Sequence, residues 1–532
     1  MFMKKVRGGS KNKPHDYLQI AESYRDENGK VRHRTICTLG RLDRLINEGT
    51  LKKLIKSMAR FLDDTVVLDL EEENIKDAKL LGTVLAVEKG FRELGLDKKL
   101  ERVAKSRKIQ FDLAKAVRLM VINRLIAPKS KLSTDRWKER LYNAKEYKDT
   151  KLQHLYRSLD ILSEESEGIK KELHNRQIEL FRHSVKVVFY DLTTIYFESE
   201  VADELKAFGY SKDNKPDKVQ VVLGVVMSEE GLPVTYEVYP GSTFEGKTVV
   251  GMIEKLKDEY EIEKIIFVGD RGLVSDRVLE ALKEKGYGYV LAARIKKLPE
   301  DVRKRITSPE GWQKLTEDLS VKELHINHKR LIVYKSKALE MEDRARRENA
   351  LEQIKERILS NPKGLMLGRG ISRYIEVKGA EISLKLEQIK KEEELDGIFG
   401  FWCEGEEVDK ENAYKIYKQL WQVEEAFRSM KSNLKIRSIY HWTPKRIKGH
   451  ITMCYMAFCV YKWMEKKLKE ANLDLSVPCA LEELDKVKCV EIETDKGLLR
   501  ARTEIKGLTN QILRALGVKI PSPVLGIEAS QN

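Results

Sequence analysis

Three carboxylates occupy three different local settings along the chain. Asp191 follows the apolar run Val-Lys-Val-Val-Phe-Tyr (185–190), and Asp270 follows Ile-Ile-Phe-Val-Gly (265–269). Glu424 lies within Tyr-Lys-Gln-Leu-Trp-Gln-Val-Glu-Glu-Ala-Phe-Arg-Ser-Met-Lys (417–431), whose apolar spacing is helical. Two acids at strand ends and a third on a later helix can converge on a pair of divalent cations. Such a pair activates a water or hydroxyl and stabilises the leaving oxygen of a phosphoryl transfer. Magnesium suits this role because it is a hard ion that binds oxygen and retains water, and manganese is able to substitute. Each acid also has a plainer explanation. Asp191 could cap a strand or join an ion pair. Asp270, before Arg271-Gly272, could close its own turn. Glu424 could sit on a solvated charged helix.

The Glu424 segment carries more information than the other two. At about 100° per residue, Tyr417, Leu420, Glu424, Arg428 and Lys431 share one helix face, and Glu425 points roughly 100° away. An acid flanked by a phenol and two cations suits a carboxylate that holds metal while its neighbours grip phosphate. Val423, Phe427 and Met430 form an adjacent apolar stripe, which predicts a packed helix.

The elements that must position these residues are legible in the pattern. Residues 184–293 read as strand 185–190, strands 218–227 and 232–239, helix 247–260, strand 265–268, helix 276–285 and strand 288–293. That is the order of a ribonuclease-H-like α/β core with a mixed sheet. Residues 1–75 read as a basic N-terminal module, with a hairpin around Asp26-Glu27-Asn28-Gly29 and a helix over about 43–62. Residues 76–183 read as a helical DNA-binding or scaffold region, with a helix over Phe111–Ile126. Residues 294–394 interrupt the core with short strands (330–334, 382–386) and a charged helix near 338–360. Leu367-Gly-Arg-Gly-Ile-Ser-Arg reads as a turn between strands and lacks the Gly-Lys-Ser/Thr of a phosphate loop. Residues 395–470 resume the core with a strand at 397–403, the Glu424 helix and an apolar helix over 451–468. Residues 471–532 are a C-terminal region whose end, after about 520, reads as frayed.

Composition narrows the class of partner. With 532 residues the chain exceeds a single core, and two to four domains are expected. Its formal net charge is +15, which favours a polyanion over a membrane. The charge is also clustered. Residues 1–60 hold 15 Lys/Arg against 6 Asp/Glu, and residues 426–450 hold seven (Arg428, Lys431, Lys435, Arg437, Lys445, Arg446, Lys448) and no acid. The six cysteines form no C-x-x-C pair, as expected of free thiols in a reducing cytoplasm. His325 and His328 lack the companions of a zinc site. No apolar run reaches membrane-spanning length, and no secretory leader is read.

On these residues the chain resembles a family. Tyr417-x2-Leu420-x3-Glu424-x6-Lys431 is similar to the Tyr-(2)-Arg-(3)-Glu-(6)-Lys motif of insertion-sequence DDE transposases. Phe-Tyr-Asp-Leu-Thr-Thr (189–194), Gly-Tyr-Ser-Lys-Asp-Asn-Lys-Pro-Asp (209–217), Gly-Asp-Arg-Gly-Leu (269–273) and Arg-Ser-Ile-Tyr-His-Trp through Gly-His-Ile (437–451) look similar too, in the same order over about 15–470. The resemblance implies a ribonuclease-H-like catalytic core carrying a largely β insertion between the second Asp and the Glu. It implies metal-dependent cleavage and strand transfer at the terminal inverted repeats of a mobile element. Asp191, Asp270 and Glu424 would bind two Mg2+ ions. Tyr417, Arg428, Lys431, Arg271, Lys435 and Arg437 would contact double-stranded DNA, both ends and target, with a homodimer on the paired ends. Leu420 departs from the family's Arg, so either Arg428 or Arg271 supplies its charge or activity is reduced. A ribonuclease-H-fold nuclease or domesticated recombinase without strand transfer, and an inactive transposase-derived DNA-binding protein, stay open as alternatives.

Overall fold

The computed structural model describes residues 1–10, 13–59, 61–62, 75–182, 184–211, 215–243, 245–262, 264–360, 374–378, 381–437, 439–494 and 497–528. Leu367–Arg373, read above as a turn, lies outside them, as do positions 212–214 of the 209–217 stretch.

The chain begins with strands β1 (Phe2–Ser10), β2 (Lys13–Arg25) and β3 (Val31–Arg41). β2 and β3 pair antiparallel from Tyr17↔Arg41 to Arg25↔Val31 across the Asp26–Gly29 turn. Asp26 Oδ1 accepts the amides of Asn28 (3.1 Å) and Lys30 (2.9 Å), and Gly29 sits at φ +73°, which glycine enters without steric cost. Two helices, α1 (Leu42–Asn47) and α2 (Thr50–Ala59), replace the single expected helix because Gly49 turns at φ +67° between them. β4 (Ile75–Leu80) follows.

A helical stretch comes next: α3 (Gly82–Glu93), α4 (Leu96–Ser106), α5 (Leu113–Ile126), α6 (Lys131–Trp137), α7 (Leu152–Glu164) and α8 (Ser166–Phe181). Asp112 caps α5 by accepting the Lys115 amide at 2.9 Å. α5 is apolar almost all round and is buried accordingly.

The mixed core then forms from β5 (Val187–Tyr196), β6 (Gln220–Ser228), β7 (Pro233–Pro240), α9 (Glu245–Asp258), β8 (Ile266–Gly269), α10 (Asp276–Glu284) and β9 (Gly288–Ala292). β5, β6 and β7 pair antiparallel, while β8 joins β5, and β9 joins β8, in parallel. The order β7-β6-β5-β8-β9 is that of a ribonuclease-H-like sheet. Val188, Tyr190, Leu192, Phe267 and Leu291 share one core with α9 and α10. α8, α15 (Trp421–Arg428) and α16 (Pro444–Glu470) pack on strands of the same sheet.

The interrupting segment supplies α11 (Glu300–Thr307), β10 (Gln313–Lys314), β11 (Leu319–Ile326), β12 (Lys329–Ser336), α12 (Lys337–Ser360), β13 (Ile375–Lys378), β14 (Glu381–Leu384) and α13 (Leu386–Glu393). β10, β11 and β12 stay in the main sheet, because β15 (Ile398–Glu404) pairs with both β12 and β9. The remaining elements are α14 (Ala413–Lys418), α17 (Val477–Leu484), β16 (Lys488–Thr494), β17 (Gly497–Arg502), α18 (Gly507–Ala515) and β18 (Val524–Glu528). The tail is not frayed as expected: β18 pairs with β17 from Leu498↔Glu528 to Ala501↔Val524.

Two compact units divide the chain. One comprises residues 1–85, 140–143 and 480–532, and holds the β1-β2-β3 sheet and the β18-β17-β16-β4 sheet. The other comprises 86–139 and 144–479, and holds the mixed sheet. No helix among the described residues is long and apolar enough to cross a membrane.

α16 organises the larger unit. Thr443 caps it, Pro444 opens it, and most of it is buried. At Gly449 it lies so close to α7 that a Cβ would overlap the Leu159 backbone oxygen. Alanine in place of glycine inside a helix ordinarily gains about 1 kcal/mol. Here the overlap with backbone reverses the sign. Gly449→Ala should destabilise by about 3 kcal/mol, the upper range of overpacking, read from the urea unfolding midpoint.

Candidate functional site

The parallel pairing of β5 with β8 sets the site. Its register runs Val187↔Ile266 to Tyr190↔Gly269, so Asp191, the next residue of β5, comes beside Asp270, which lies one residue past the end of β8. Their faces follow from alternation. Val188, Tyr190, Leu192 and Phe267 point into the core with α9 and α10. Asp191 and Asp270 therefore point to the opposite face, where α15 packs on β5 and β6, and α14 on β8 and β9. Both aspartates are half-buried. Asp191 is inside β5, not at its end as expected, because β5 stays paired with β6 as far as Tyr196↔Gln220.

Glu424 arrives by a bent route. The continuous helix expected over 417–431 is absent. α14 ends at Lys418 and α15 begins at Trp421. Between them the backbone bonds are of the i to i−3 kind: Gln419 to Ile416, Leu420 to Tyr417, Gln422 to Gln419 and Val423 to Leu420. This tighter winding separates residues that a uniform helix would align. Leu420 turns into the core at 7% exposure, whereas Glu424 is exposed.

The same bend brings Tyr417 to Asp270. The Tyr417 hydroxyl donates to Asp270 Oδ1 at 3.3 Å. Burial, then the charges of Asp270 and Glu424, push the phenol pKa far up, against a smaller opposing effect of Arg271. Tyr417 thus touches Asp270 and lies within electrostatic reach of Glu424 and Arg271. Glu425 is half-buried, and its charge is one of the smaller influences that raise the Tyr461 phenol of α16.

The cations sort into two sets. Arg428 is exposed at the end of α15, and Lys431 is half-buried in a π-turn over Ser429–Asn433. Lys435 is exposed at φ +42°, and Arg437 lies over the Tyr196 ring at 5.3 Å. Arg271 is exposed, its carbonyl accepting from Arg294 Nε at 3.0 Å. Two members of the acid-free 426–450 cluster are tied up by α7: Lys445 pairs with Glu164, and Arg446 with Asp160 at 3.2 Å.

The donor set fits a hard divalent ion. Carboxylate oxygens are the only ionisable donors the three positions offer, and no histidine or cysteine competes among them. Among the described residues, no group of three or more His, Cys, Asp and Glu side chains is placed to hold a metal ion, so Asp191, Asp270 and Glu424 do not converge as a ready-made set. A hard ion that keeps its water needs only one or two protein carboxylates at a time, so an open arrangement suffices. Sequence reasoning missed Arg124 and Lys131, both buried cations of the same unit. Arg124 did carry a signal, a lone charge inside the apolar run Val121–Ile126. Lys131 carried none.

Two family models match the chain. One described as "IS1634 family transposase, N-terminal domain" matches residues 3–73. One described as "Transposase DDE domain" matches residues 183–460, more than half of the chain. That span includes Asp191, Asp270 and Glu424. No curated protein matches.

The burial of Leu420 determines what the motif's arginine would do here. An arginine at this position must either bury its charge or disrupt the 419–423 turns to reach water. Leu420→Arg should destabilise by about 2 kcal/mol or more without raising DNA cleavage, whereas Leu420→Met should cost under about 1.5 kcal/mol. Urea unfolding and a strand-cleavage assay on the same preparations check both. Higher cleavage by Leu420→Arg would show that this position faces the DNA.

Proposed function

This chain belongs to the DDE transposases, enzymes that cleave DNA and transfer its strands in dependence on a divalent metal, and from that premise we propose how its own residues divide the work. Asp191, Asp270 and Glu424 are the metal-binding carboxylates, and they hold two magnesium ions, replaceable by manganese. Bound metal of this kind supplies an activated water or 3′-hydroxyl and stabilises the leaving oxygen. The observation that carries the reading is the β5–β8 register, with the Tyr417 hydrogen bond that ties α14 to Asp270.

Tyr417 acts as a positioning residue. Its raised pKa keeps the phenol protonated, so it donates to Asp270 and leaves that carboxylate's second oxygen for metal. Glu424 is preferred to Glu425 because its charge helps to raise the pKa of the Tyr417 phenol beside Asp270. Arg428, Lys431, Arg271, Lys435 and Arg437 grip phosphates, which fixes the DNA without reading its sequence. The basic hairpin module over 1–60 recognises the terminal inverted repeats, and a homodimer holds the paired ends.

Asp191→Asn, Asp270→Asn and Glu424→Gln should each lower strand cleavage by about 10³-fold or more while end binding persists. Glu425→Gln should stay within about threefold of wild type. If Glu425→Gln abolishes cleavage and Glu424→Gln does not, the assignment is wrong by one residue. Chelation of divalent ions should mimic the carboxylate variants.

DNA affinity should fall linearly on a logarithmic salt scale, because bound phosphates release counterions. Removing residues 1–60, which carry a local excess of nine positive charges, should weaken binding to element ends more than it slows cleavage of a pre-nicked substrate. Unchanged discrimination between end and random DNA would move recognition to another part of the chain.

A further inference from the structure

A cleft of about 690 Å³ opens in the larger unit between α5, the turn into α6, α7 and residues 435–437 and 440–441. Arg124, Lys129, Lys131, Lys435 and Arg437 line it, and its described lining holds no carboxylate. Lys129 and Lys435 are exposed and Arg437 is half-buried, but Lys131 is only 4% exposed and Arg124 only 5%.

Two cations buried together are costly unless something compensates them. Here the protein compensates them incompletely. Arg124 Nη1 donates to the carbonyls of Leu434 (3.2 Å) and Lys435 (3.0 Å), while its Nε has no partner. Among the described residues the Lys131 ammonium has no acceptor; its charged neighbour is Arg124, with the Cys454 thiol beside it. Burial, then Arg124, pull the Lys131 pKa down to about 7. His441 and His450 join the cluster and are held neutral by burial and by Lys131. His450 Nδ1 has no partner. Other buried lysines are satisfied: Lys206 by Asp203 (3.3 Å), Lys322 by the carbonyls of Arg305 (2.6 Å) and Ser308 (3.0 Å), and Lys462 by Glu465 (2.6 Å).

We propose that this cleft is a phosphate site, in which Lys131 and Arg124 hold a backbone phosphodiester of bound DNA at depth and Lys129, Lys435 and Arg437 hold it at the mouth. The proposal rests on the DNA-binding reading of Lys435 and Arg437 and adds a buried pair that neither composition nor the motif assigns. The chemistry that completes the cleft is an oxyanion able to accept from an ammonium, a guanidinium and an imidazole together. A phosphodiester in a polyanion meets that need and brings neighbouring phosphates to the outer cations. The site would fix the position of the duplex and be indifferent to base sequence.

The test uses the full-length chain, a duplex of arbitrary sequence, and sodium sulfate as an inorganic oxyanion at constant ionic strength. Lys131→Met removes the charge at similar volume and relieves a buried cation, so it should fold and raise the sulfate-free Tm. It should also lose the sulfate-induced Tm rise of the wild type, weaken duplex binding about tenfold, and lower the salt slope by about one. Lys131→Arg should keep most of the affinity. Lys129→Gln, at an exposed position, should lower the slope on its own and needs no tolerance from the core. Duplex affinity and salt slope unchanged in both Lys131→Met and Lys129→Gln would overturn the proposal. Loss of the sulfate effect with unchanged duplex affinity would assign the cleft to a free phosphate compound, which overturns the DNA assignment. Wild-type protein that binds no duplex at low salt would instead defeat the parent reading of Lys435 and Arg437.

Discussion

The parallel hydrogen-bonded ladder between β5 and β8 is the constraint on which the site depends. Asp191 and Asp270 are far apart in the chain, and only this pairing sets them side by side. A parallel pair cannot be closed by a tight turn. The chain therefore runs out through β6 and β7 and returns over the sheet through α9. α9 and α10 cover one face with Val249, Met252, Ile253, Leu256, Val278 and Leu282, all buried. With that face closed, the even-numbered residues around 190 become core and the odd-numbered Asp191 is left for the other face. A slip of one residue would exchange them and put a carboxylate among valines and a tyrosine in the site.

The second face is completed by a helix that does not run straight. A regular helix from Tyr417 to Lys431 would put Leu420 beside Glu424 and leave an apolar side chain in the site. The 3₁₀-type turns over 419–423 send Leu420 inward and leave Glu424 exposed. The later π-turn at Ser429–Asn433 winds the other way, with Leu434 bonding back to Ser429 at 3.0 Å, and Lys431 lies within it. A tightened turn before the acid and a widened one after it set where the flanking groups point. Departures from regular winding often mark functional sites.

Much of this was legible in the residues, and what was not has physical reasons. The core strands and helices announced themselves because their apolar runs are short, dense and bounded by turn residues: Gln220–Ser228 and Ile266–Gly269 match expectation closely, whereas β5 runs six residues past the expected end at Tyr190. The Asp26–Gly29 hairpin was visible for the same reason. The break before Trp421 was not, since Gln419 and Leu420 are good helix formers and only tertiary packing of Leu420 favours the tighter turn. The strand Val524–Glu528 was also missed. Its alternation is weak, and its pairing with β17 depends on a partner some 25 residues away that local pattern does not show. That β10–β12 continue the main sheet follows from one pairing, β15 between β12 and β9, which no single segment encodes.

Charge shows most plainly how the fold redistributes what the sequence only counts. Along the chain, residues 426–450 hold cations and no acid, yet folding brings Asp160 and Glu164 of α7 onto Arg446 and Lys445 and leaves Arg428 and Lys435 exposed. Burial sharpens the contrast. Lys170, 1% exposed, sits in a network with the Tyr236 carbonyl at 2.9 Å, Glu237 at 3.0 Å and Glu167 at 2.7 Å, and that network is closed within the protein. Lys131 is as deeply placed and has no such acceptors among the described residues. The same core that satisfies Lys170 could have satisfied Lys131 with one carboxylate from α7, as it does Arg446. It presents instead a guanidinium, two neutral imidazoles and an open cleft. A cation held this way destabilises the fold until an anion arrives, and the difference between the two lysines separates a structural charge from one reserved for a ligand.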